Sequence, residues 1–314
     1  MTRETICTIS ALPYRQPIPV YGFRFGNGDR TLAVMGAIRG DEFQQMYTAA
    51  RLIQRLKKLE SAGALAAGIL VIPCAAQFSM NVSRRFWPLD NTDINRMFPG
   101  YADGETTQRL AQRIFQALQG YRWGIHLTSF YLPGDFIPHV RIMETGFQQN
   151  DAGLDFGLPY LVIRSPHPYD TATLNYNWQI WGTNTFSLYT RAASDIDPES
   201  AEIAVEGILR FLHRYGLLAQ SVPEGCKTVC VDESQMVTIL SSHAGVLMPK
   251  KRPGDKAVSG ELVAHILDPC TASICEEIRS PVDGDIFFFR RSQILSERTI
   301  VCRIISRNNF KGVC

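Results

Sequence analysis

Apolar stretches of the chain alternate with amphipathic ones. Residues 31–38 (TLAVMGAI) form an apolar run of strand length, which indicates a strand buried on both faces. Residues 42–63 place apolar side chains three or four positions apart, with basic residues late and a glycine following, which predicts a helix. Residues 68–76 (GILVIPCAA) form a second buried run. A strand, a helix and a strand predict a right-handed parallel crossover in an α/β domain.

The next segments continue this alternation. The aspartate-rich residues 88–100 (PLDNTDINRMFPG) predict a loop, and residues 105–121 predict another amphipathic helix. Residues 122–130 (RWGIHLTSF) predict a strand that runs into a loop. Residues 201–218 form a long amphipathic segment, and we expect this helix to close the first domain.

The pattern changes near residue 221. Residues 226–310 contain short β-rich runs such as VTIL, LVAHIL and DIFFF, separated by Gly, Pro and Asp turns, which is typical of an all-β module. The spacing of these runs is similar to that of a lipoyl-like barrel, but no lysine stands at a hairpin tip beside Met or Ala. We therefore expect a structural or lid role. We predict an α/β domain at 1–221 and a β-rich domain at 222–314.

Composition narrows the functional classes. The 314 residues are 45% hydrophobic and 20% charged, which is ordinary for a globular protein and argues against long disorder. A net charge of +2 gives no general attraction to nucleic acid or to a membrane. The first residues lack the features of a signal peptide, and no apolar run reaches the roughly 18 residues of a membrane span. We expect a cytoplasmic protein.

Eight cysteines raise the question of disulfides or zinc. Cys226 and Cys230 are separated by three residues, and Cys270 and Cys275 by four, so neither pair has the two-residue spacing of common zinc ribbons. We expect reduced and mostly buried thiols. A structural zinc or a redox role is the alternative.

Three motifs occur in an informative order: IRGDE (38–42), RRFWPLDNTDINRMFPG (84–100) and WGIHLTS (123–129). Together they resemble the succinylglutamate desuccinylase/aspartoacylase family, a branch of the zinc carboxypeptidase-like hydrolases, and the middle motif is the most specific of the three. The resemblance covers nearly the whole chain. It implies a zinc-carboxypeptidase-like mixed sheet flanked by helices and followed by a small C-terminal β domain.

The resemblance also implies a zinc ion, held by a His and a Glu of a His-Gly-Asp-Glu loop and by the His of an Asp-x-His strand end. Arg39, Glu42 and His126 stand at these three positions. Arginine stays protonated and offers only hydrogen-bond donors, so it cannot ligate a metal. A fixed positive charge about 4 Å from a divalent cation also costs several kcal/mol at an effective dielectric of about 20. We do not expect tight zinc binding.

Two further positions depart from the family pattern. The Asp of Asp-x-His is Gly124 here, which removes a carboxylate that would orient or polarise the imidazole. The catalytic Glu of the family aligns with Tyr189, within residues 182–192, and tyrosine is a poor base at neutral pH. No Asp or Glu occurs between Asp170 and Asp195, whatever the register of the alignment.

Other family positions are retained. Arg85, Asn95 and Arg96 match the substrate-binding positions of the family, where guanidinium groups can grip a carboxylate through two parallel hydrogen bonds. Arg141 could add another positive group. These residues predict a small carboxylate-bearing ligand. The alternative is that Asn95 and Arg96 only fasten the aspartate-rich loop.

Two functions follow from this pattern. The first is a pseudoenzyme, a ligand-binding or regulatory subunit of an oligomer that could pair with an active homologue. The second is a metal-dependent amidohydrolase that removes an acyl group from a small amino-acid derivative; it would need a replacement ligand, for which His139 and Cys74 are candidates. We expect His167 to be a turn residue and His213, His243 and His265 to be structural. Losses at three chemically distinct positions favour the pseudoenzyme.

A specific structural hypothesis accompanies the pseudoenzyme. Arg39 and Glu42 come from one tight loop, so the guanidinium could lie where the metal would lie and pair with the carboxylate. His126 would then serve as a hydrogen-bond partner.

Overall fold

The computed structural model of the protein describes residues 1–9, 16–192 and 194–306. Residues 307–314, the end of the predicted β-rich domain, lie outside the described residues. Up to Arg214 the chain alternates strands and helices. The strands are β1 (Thr2–Ile9), β2 (Ile18–Phe25), β3 (Arg30–Ala37), β4 (Gly68–Cys74), β5 (Trp123–Leu127), β6 (Gly134–Phe136), β7 (His139–Met143), β8 (Tyr160–Arg164) and β9 (Asn184–Tyr189). The helices are α1 (Phe43–Ser61), α2 (Gln77–Asn81), α3 (Thr106–Leu118), α4 (Asn150–Leu154), α5 (Leu174–Ile180) and α6 (Pro198–Arg214).

The remaining elements are short strands. They are β10 (Val229–Asp232), β11 (Met236–Leu240), β12 (Gly245–Pro249), β13 (Lys256–Ala257), β14 (Leu262–Leu267), β15 (Ile274–Arg279), β16 (Gly284–Arg290), β17 (Ile294–Leu295) and β18 (Ile300–Ser306). Single 3-10 turns lie at Ile94–Arg96, Pro168–Asp170 and Glu233–Gln235. This distribution confirms the predicted fold class, in which a mixed α/β part is followed by β-rich structure.

A nine-stranded mixed sheet organises the first part of the chain. Its order is β1-β2-β4-β3-β5-β9-β7-β8-β10. The central strands β4, β3, β5 and β9 are parallel to one another, whereas β2 runs antiparallel to β4 and β7 runs antiparallel to β9. The predicted β3-α1-β4 crossover is confirmed, with β3 and β4 adjacent and parallel.

Helices cover both faces of this sheet. Along β3, Leu32 and Val34 pack into the hydrophobic cluster that contains side chains of α1 and α6, while Ala33 and Met35 pack into the cluster that contains side chains of α3 and α5. Successive side chains of a strand point to opposite faces. Both faces are therefore buried, which explains why residues 31–38 read as one continuous apolar run.

The sequence pattern located these helices with small errors at their ends. Residues 105–121 and 201–218 correspond to α3 and α6. Helix α6 begins earlier than predicted because Asp197 accepts hydrogen bonds from the backbone of Glu199 (3.2 Å) and Ser200 (3.4 Å), with Pro198 at the first position. Asp followed by Pro is a favourable helix start.

The β-rich part forms two antiparallel sheets around a common core. One sheet has the order β11-β18-β16-β13, with β6 added on β16, and the other has the order β15-β14-β12-β17. Apolar residues from both sheets, including Ile266, Ile286 and Ile304, form one hydrophobic cluster. The predicted β-rich module is therefore observed as a pair of packed sheets.

Two strands tie the sheets together. β10 lies beyond the predicted boundary at 221/222 and pairs in parallel with β8, so it extends the large sheet. β6 belongs to the first part of the chain but pairs with β16. A cluster that includes Phe136, Val162 and Phe288 fills the junction. The division into 1–221 and 222–314 stays a prediction, because the junction itself is packed.

The cysteines follow the expectation only in part. Free thiols are buried at Cys7, Cys74 and Cys302, half-buried at Cys275, and exposed at Cys226 and Cys270. Cys230 is disulfide-bonded, so the expectation of reduced thiols is wrong there. Because Cys226 is free, the pair suggested by its spacing from Cys230 does not form. Spacing along the chain does not decide which thiols come within bonding distance.

None of the helices in the described ranges combines the length and the apolar character needed to span a bilayer. The longest helix, α1, carries charged residues along its outer face, including Arg51 and Lys57.

The packing of α1 generates a stability prediction. Leu52 is fully buried between α1 and the sheet, whereas Lys57 of the same helix is exposed. We expect Leu52→Ala to lower the free energy of unfolding by about 2–5 kcal/mol, because it removes buried methyl groups and leaves a cavity. We expect Lys57→Ala to change it by less than about 0.5 kcal/mol. Urea denaturation measures both, and equal losses would contradict this packing.

Candidate functional site

The loop between β3 and α1 builds the centre of the site around Glu42, which is fully buried. One oxygen of its carboxylate accepts the backbone N–H groups of Ile38 (2.9 Å) and Arg39 (3.0 Å). The other oxygen accepts the Ser129 hydroxyl (2.6 Å) and Nη1 of Arg39 (3.3 Å). Four donors from the protein thus saturate the side chain that stands at the second ligand position.

Arg39 joins this carboxylate to a second one. Its Nε and Nη2 donate to the two carboxylate oxygens of Asp93 at 3.0 and 2.9 Å, as two parallel hydrogen bonds. Burial opposes charge on these groups, but Glu42 and Asp93 raise the pKa of Arg39 further above its ordinary value. Likewise, Arg39 overcomes the effect of burial and lowers the pKa of Asp93. The group is a buried cation between two anions, and the hypothesis that Arg39 pairs with Glu42 is confirmed.

His126 lies on β5 beside this group and is 1% exposed. Burial and the nearby positive charge of Arg39 lower its pKa to about 3, so the imidazole is neutral at physiological pH. Its Nε2 has no hydrogen-bond partner among the described residues. His126 is a hydrogen-bond partner of the Asn175 side chain, whereas the guanidinium of Arg39 donates to Glu42 and Asp93.

The position of Gly124 explains why no aspartate stands there. A Cβ atom added to Gly124 would lie 2.8 Å from Cζ2 of Trp178. Trp178 is itself fully buried, and its indole N–H donates to the carbonyl of Leu118 (3.2 Å). The space for a carboxylate before His126 is therefore filled by an aromatic ring that belongs to the core.

Tyr189, at the end of β9, is part of an aromatic wall. Its ring is parallel to that of His139 at a centroid distance of 4.6 Å, and Cζ of Arg141 lies 4.8 Å from its centroid. His139 is fully buried, and its Nδ1 bonds to the carbonyl oxygen of Ile137 (2.8 Å). The residue at the catalytic Glu position is thus a packed phenol that stacks on two cationic or aromatic neighbours.

A cavity of about 550 Å³ opens above these residues, between the large sheet and the β-rich part. His126, Ser187 and Arg141, all buried, form its floor, while the exposed Tyr131 and Tyr169 stand at its rim. The first three residues are the floor of the cavity, and the two tyrosines are its rim. The charged groups on its walls are Arg39, Arg96, Arg141, Arg164, Arg303, Asp170, Asp232 and Glu233.

The structure brings together three of the four predicted ligand-binding residues. Asn95, Arg96 and Arg141 line the cavity. Arg85 does not line it, because it pairs with Asp41 (2.8 Å) on the other side of the loop. A binding role for these residues stays a prediction. The alternative, in which Asn95 fastens the aspartate-rich loop, has direct support, since its Oδ1 accepts the backbone N–H of Leu174 (3.0 Å).

The proposed replacement ligands lie apart from this centre. His139 is enclosed by aromatic rings and does not line the cavity. The Sγ atom of Cys74 contacts Sδ of Met80 (3.9 Å), and burial raises the pKa of this thiol to about 12. His167 directly precedes the 3-10 turn Pro168–Asp170, as expected of a turn residue. The remaining histidines lie on α6 (His213), between β11 and β12 (His243) and on β14 (His265).

The sequence patterns missed several residues of the site. Asp93 is the most important, because it holds Arg39 by two hydrogen bonds; a signal existed, since it immediately precedes the Ile-Asn-Arg segment of the middle motif. Arg164 and Arg303 also line the cavity, paired with Asp170 (2.5 Å) and Glu233 (2.7 Å). No local pattern marks the Arg303–Glu233 pair, whose members are 70 positions apart. Arg164 and Asp170 are close in the chain, but they do not have the regular spacing of a helix or strand pair.

Comparison with known proteins now identifies the relatives of the chain. The sequence profile of the succinylglutamate desuccinylase/aspartoacylase catalytic domain matches residues 28–215. The chain belongs to this family. A relative, the N-alpha-acetyl-L-2,4-diaminobutyric acid deacetylase of Halomonas elongata, is 25% identical over 282 residues, which cover 85% of this chain and 79% of that protein.

Solved structures share the fold. The product-bound ectoine utilization protein EutE (DoeB) of Ruegeria pomeroyi matches with a TM-score of 0.77 and 18% identity, over 92% of this chain and 89% of that chain. A succinylglutamate desuccinylase/aspartoacylase family protein of Shewanella amazonensis matches with a TM-score of 0.80 and 16% identity, over 98% and 99% of the two chains. These likenesses show the fold of the family.

The side chains at the zinc positions of the family do not fit a zinc ion. Of the residues that the structure describes, no three His, Cys, Asp or Glu side chains are arranged to hold a metal. The donor set is the more direct argument. Arg39 supplies only N–H donors, and Glu42 is already bound by four of them. A zinc ion here would meet a fixed positive charge and one neutral imidazole.

The buried cation generates a stability prediction. Arg39→Met leaves two buried carboxylates without their counter-charge, and we expect it to lower the free energy of unfolding by about 3–5 kcal/mol. The control is Arg109→Met on α3, where the arginine is exposed and the expected change is below about 0.5 kcal/mol. Adding Asp93→Asn to Arg39→Met should recover part of the loss. Thermal and urea unfolding measure these values, and equal effects at positions 39 and 109 would refute the ion group.

The neutral histidine generates a pH prediction. The pKa of His126 is about 3 in the folded chain, below its ordinary value of 6.5, so below pH 6.5 the unfolded chain binds a proton that the folded chain does not. Stability should therefore fall as the pH drops from about 6.5 to 3, with a contribution of up to about 1.4 kcal/mol per pH unit. His126→Gln should remove this contribution.

The measurement is urea unfolding of both proteins between pH 7 and pH 4. The same substitution at exposed His243 controls for the loss of a surface imidazole. Parallel stability curves for the parent and His126→Gln would show that the imidazole is not held neutral.

Proposed function

We propose that this chain is a family member without zinc catalysis that binds a small carboxylate-bearing molecule in its cavity. The observation that carries the proposal is the bidentate pairing of Arg39 with Asp93, together with its bond to Glu42. The family uses this place for a metal ligand. In this chain a guanidinium stands there, held by two carboxylates and 4% exposed.

Displacing this guanidinium would be costly. Removing one member of a buried ion pair leaves an uncompensated charge, at roughly 3–5 kcal/mol. A zinc ion would have to replace Arg39, capture Glu42 from the Ser129 hydroxyl and two backbone N–H groups, and then still lack a third protein ligand. The closed hydrogen-bond set therefore supports a resident arginine in place of a metal.

A general base is also missing at the expected place. Tyr189 stands there, packed on His139. Among the carboxylates on the cavity wall, Asp170 is bound to Arg164 (2.5 Å). Burial opposes the charge of Glu233, but Arg141 and Arg303 lower its pKa below the ordinary value. Carboxylates held in this way are weak bases, which further supports a non-hydrolytic role.

The charged wall supports a ligand with a carboxylate. Five arginines and three acidic residues line the cavity, and guanidinium groups are suited to carboxylates through parallel hydrogen bonds. The pocket volume of about 550 Å³ suits a small molecule. A regulatory role beside an active homologous subunit is a further part of this proposal, which the sequence pattern suggests.

A second candidate is an amidohydrolase with an altered centre. It is favoured by the 25% identity with a deacetylase over 282 residues. Such an enzyme would need a replacement metal ligand and a different base, or a group other than zinc that polarises the substrate carbonyl. The test below separates the two candidates because it measures the metal and the reaction independently.

The decisive experiment measures bound metal and hydrolysis. Protein purified without chelator, with zinc supplied during expression, should contain well below one zinc per chain by elemental analysis. It should not release acetate from N-alpha-acetyl-L-2,4-diaminobutyrate above the uncatalysed rate. Arg39→His restores a ligand-type side chain next to Glu42 and His126, so we expect it to bind more zinc than the parent protein.

Arg84→His is the matched control, because Arg84 is exposed and a histidine there adds a surface imidazole only. Stoichiometric zinc in the parent protein would overturn the proposal. Zinc-independent release of acetate would instead establish the second candidate.

A further inference from the structure

Arg141 is a buried cation with an incomplete set of partners. It lies on β7, is 4% exposed and borders the cavity. Nη1 lies 3.5 Å from Oε1 of Glu233, whereas Nε and Nη2 have no hydrogen-bond partner among the described residues. Burying unpaired donors of a charged group is costly, so a partner from outside the chain would be bound strongly.

The two unpaired nitrogens of Arg141 lie on one edge of the guanidinium and can donate two parallel hydrogen bonds. Nε and Nη2 are the same pair of atoms with which Arg39 holds the carboxylate of Asp93 at 3.0 and 2.9 Å. Within one structure, one arginine thus shows this edge filled by a carboxylate, and another, which lines the cavity, shows it buried without a partner among the described residues. The filled edge of Arg39 defines the geometry that a ligand of Arg141 would adopt.

The neighbouring arginines are more completely paired. Arg164 pairs with Asp170 (2.5 Å), and Arg303 pairs with Glu233 (2.7 Å), which leaves only Nε of Arg303 among its buried nitrogens without a partner in the described residues. Glu233 is shared between Arg303 and Arg141, so Arg141 has no carboxylate of its own. This matches a ligand that brings a carboxylate to Arg141.

Aromatic rings hold the guanidinium of Arg141 in place. Its Cζ lies 4.8 Å from the centroid of Tyr189 and 5.7 Å from that of Phe130. His139 stacks behind the Tyr189 ring at 4.6 Å. A guanidinium fixed in this way loses little conformational entropy when it binds a planar anion, and the rings screen it from water.

The floor of the cavity fixes where the other end of the ligand would lie. In the sheet register, Ser187 is the partner of His126 on one side and of Arg141 on the other. These three residues therefore form one row across β5, β9 and β7, and two strand spacings separate the Cα atoms of its ends by about 10 Å. His126 ends the row, and its Nε2 has no partner among the described residues.

We infer that Arg141 is the carboxylate-binding residue of the cavity, and that the ligand is a short acid with an uncharged hydrogen-bonding group that reaches Ser187 and His126. This inference rests on the proposed ligand-binding function and assigns its anchor. It places the anchor on β7, away from the Arg85, Asn95 and Arg96 positions. Of those three, Arg85 is paired with Asp41 and Asn95 accepts a backbone bond from Leu174.

The test uses N-acetylglycine, which has a carboxylate and an amide, and N-acetylglycinamide, which has the same shape without the charge. Isothermal titration of the parent protein at pH 7 should show binding of the acid at least tenfold tighter than that of the amide. Arg141→Met should weaken the acid roughly 10- to 100-fold, because charge-assisted hydrogen bonds are lost, and leave the amide unchanged. Arg252→Met, at a side chain that is 87% exposed, is the matched control.

Arg141→Lys keeps the positive charge but cannot donate two parallel hydrogen bonds from one planar edge. It therefore tests the inference even if the methionine variant fails to fold. We expect it to retain less than a tenth of the affinity for the acid. In nitrogen-15 spectra, the Nε–H signal that Arg141→Lys removes should shift when N-acetylglycine is added to the parent protein. If Arg141 only packed against its neighbours, adding N-acetylglycine would not shift its Nε–H signal.

The outcomes separate the two proposals. If the acid binds and depends on Arg96 but not on Arg141, this inference is wrong and the proposed ligand-binding function stands. If neither acid nor amide binds the parent protein at 20 mM, about a hundredfold above a typical small-ligand dissociation constant, both this inference and the proposed ligand-binding function are wrong. The zinc analysis is independent of both results.

Discussion

The ion group of Arg39, Glu42 and Asp93 is the constraint on which the site depends. It joins the loop after β3 to the aspartate-rich loop around the 3-10 turn, and it fixes the side chains that face His126. A zinc ion would do the same by drawing ligands from separate loops together. An arginine achieves this with directional hydrogen bonds and a permanent charge. In this chain an ion group among three side chains thus holds these two loops of the family fold together.

The sequence predicted the fold better than the site. Continuous apolar runs and helical periodicity located β3, α1 and β4 because local burial imposes local patterns. The pairing of Arg39 with Glu42 was also accessible, since both lie in one short loop. Asp93 was missed as its second partner because the two residues are 54 positions apart and only the folded sheet brings them together. The strand pairing at the junction was not predicted for the same reason, as β6 and β10 pair with strands from distant segments.

The cavity is a product of that junction. Its floor comes from strands of the large sheet, but Glu233 and Arg303 arrive from the β-rich part. The carboxylate of Glu233 pairs with arginines from both parts: it accepts from Arg303 on β18 and lies 3.5 Å from Nη1 of Arg141 on β7. A ligand on Arg141 would therefore act where the two parts are tied together. Occupancy of this position would therefore stabilise the contact between the two parts of the chain.

Trp178 limits which side chains position 124 can carry. Its indole fills the space next to Gly124, so an aspartate fits there only if this core tryptophan is replaced at the same time. An aspartate at 124 alone would clash with the ring, and a small residue at 178 alone would leave a cavity in the core. A carboxylate two positions before His126 therefore requires two coordinated substitutions in this packing.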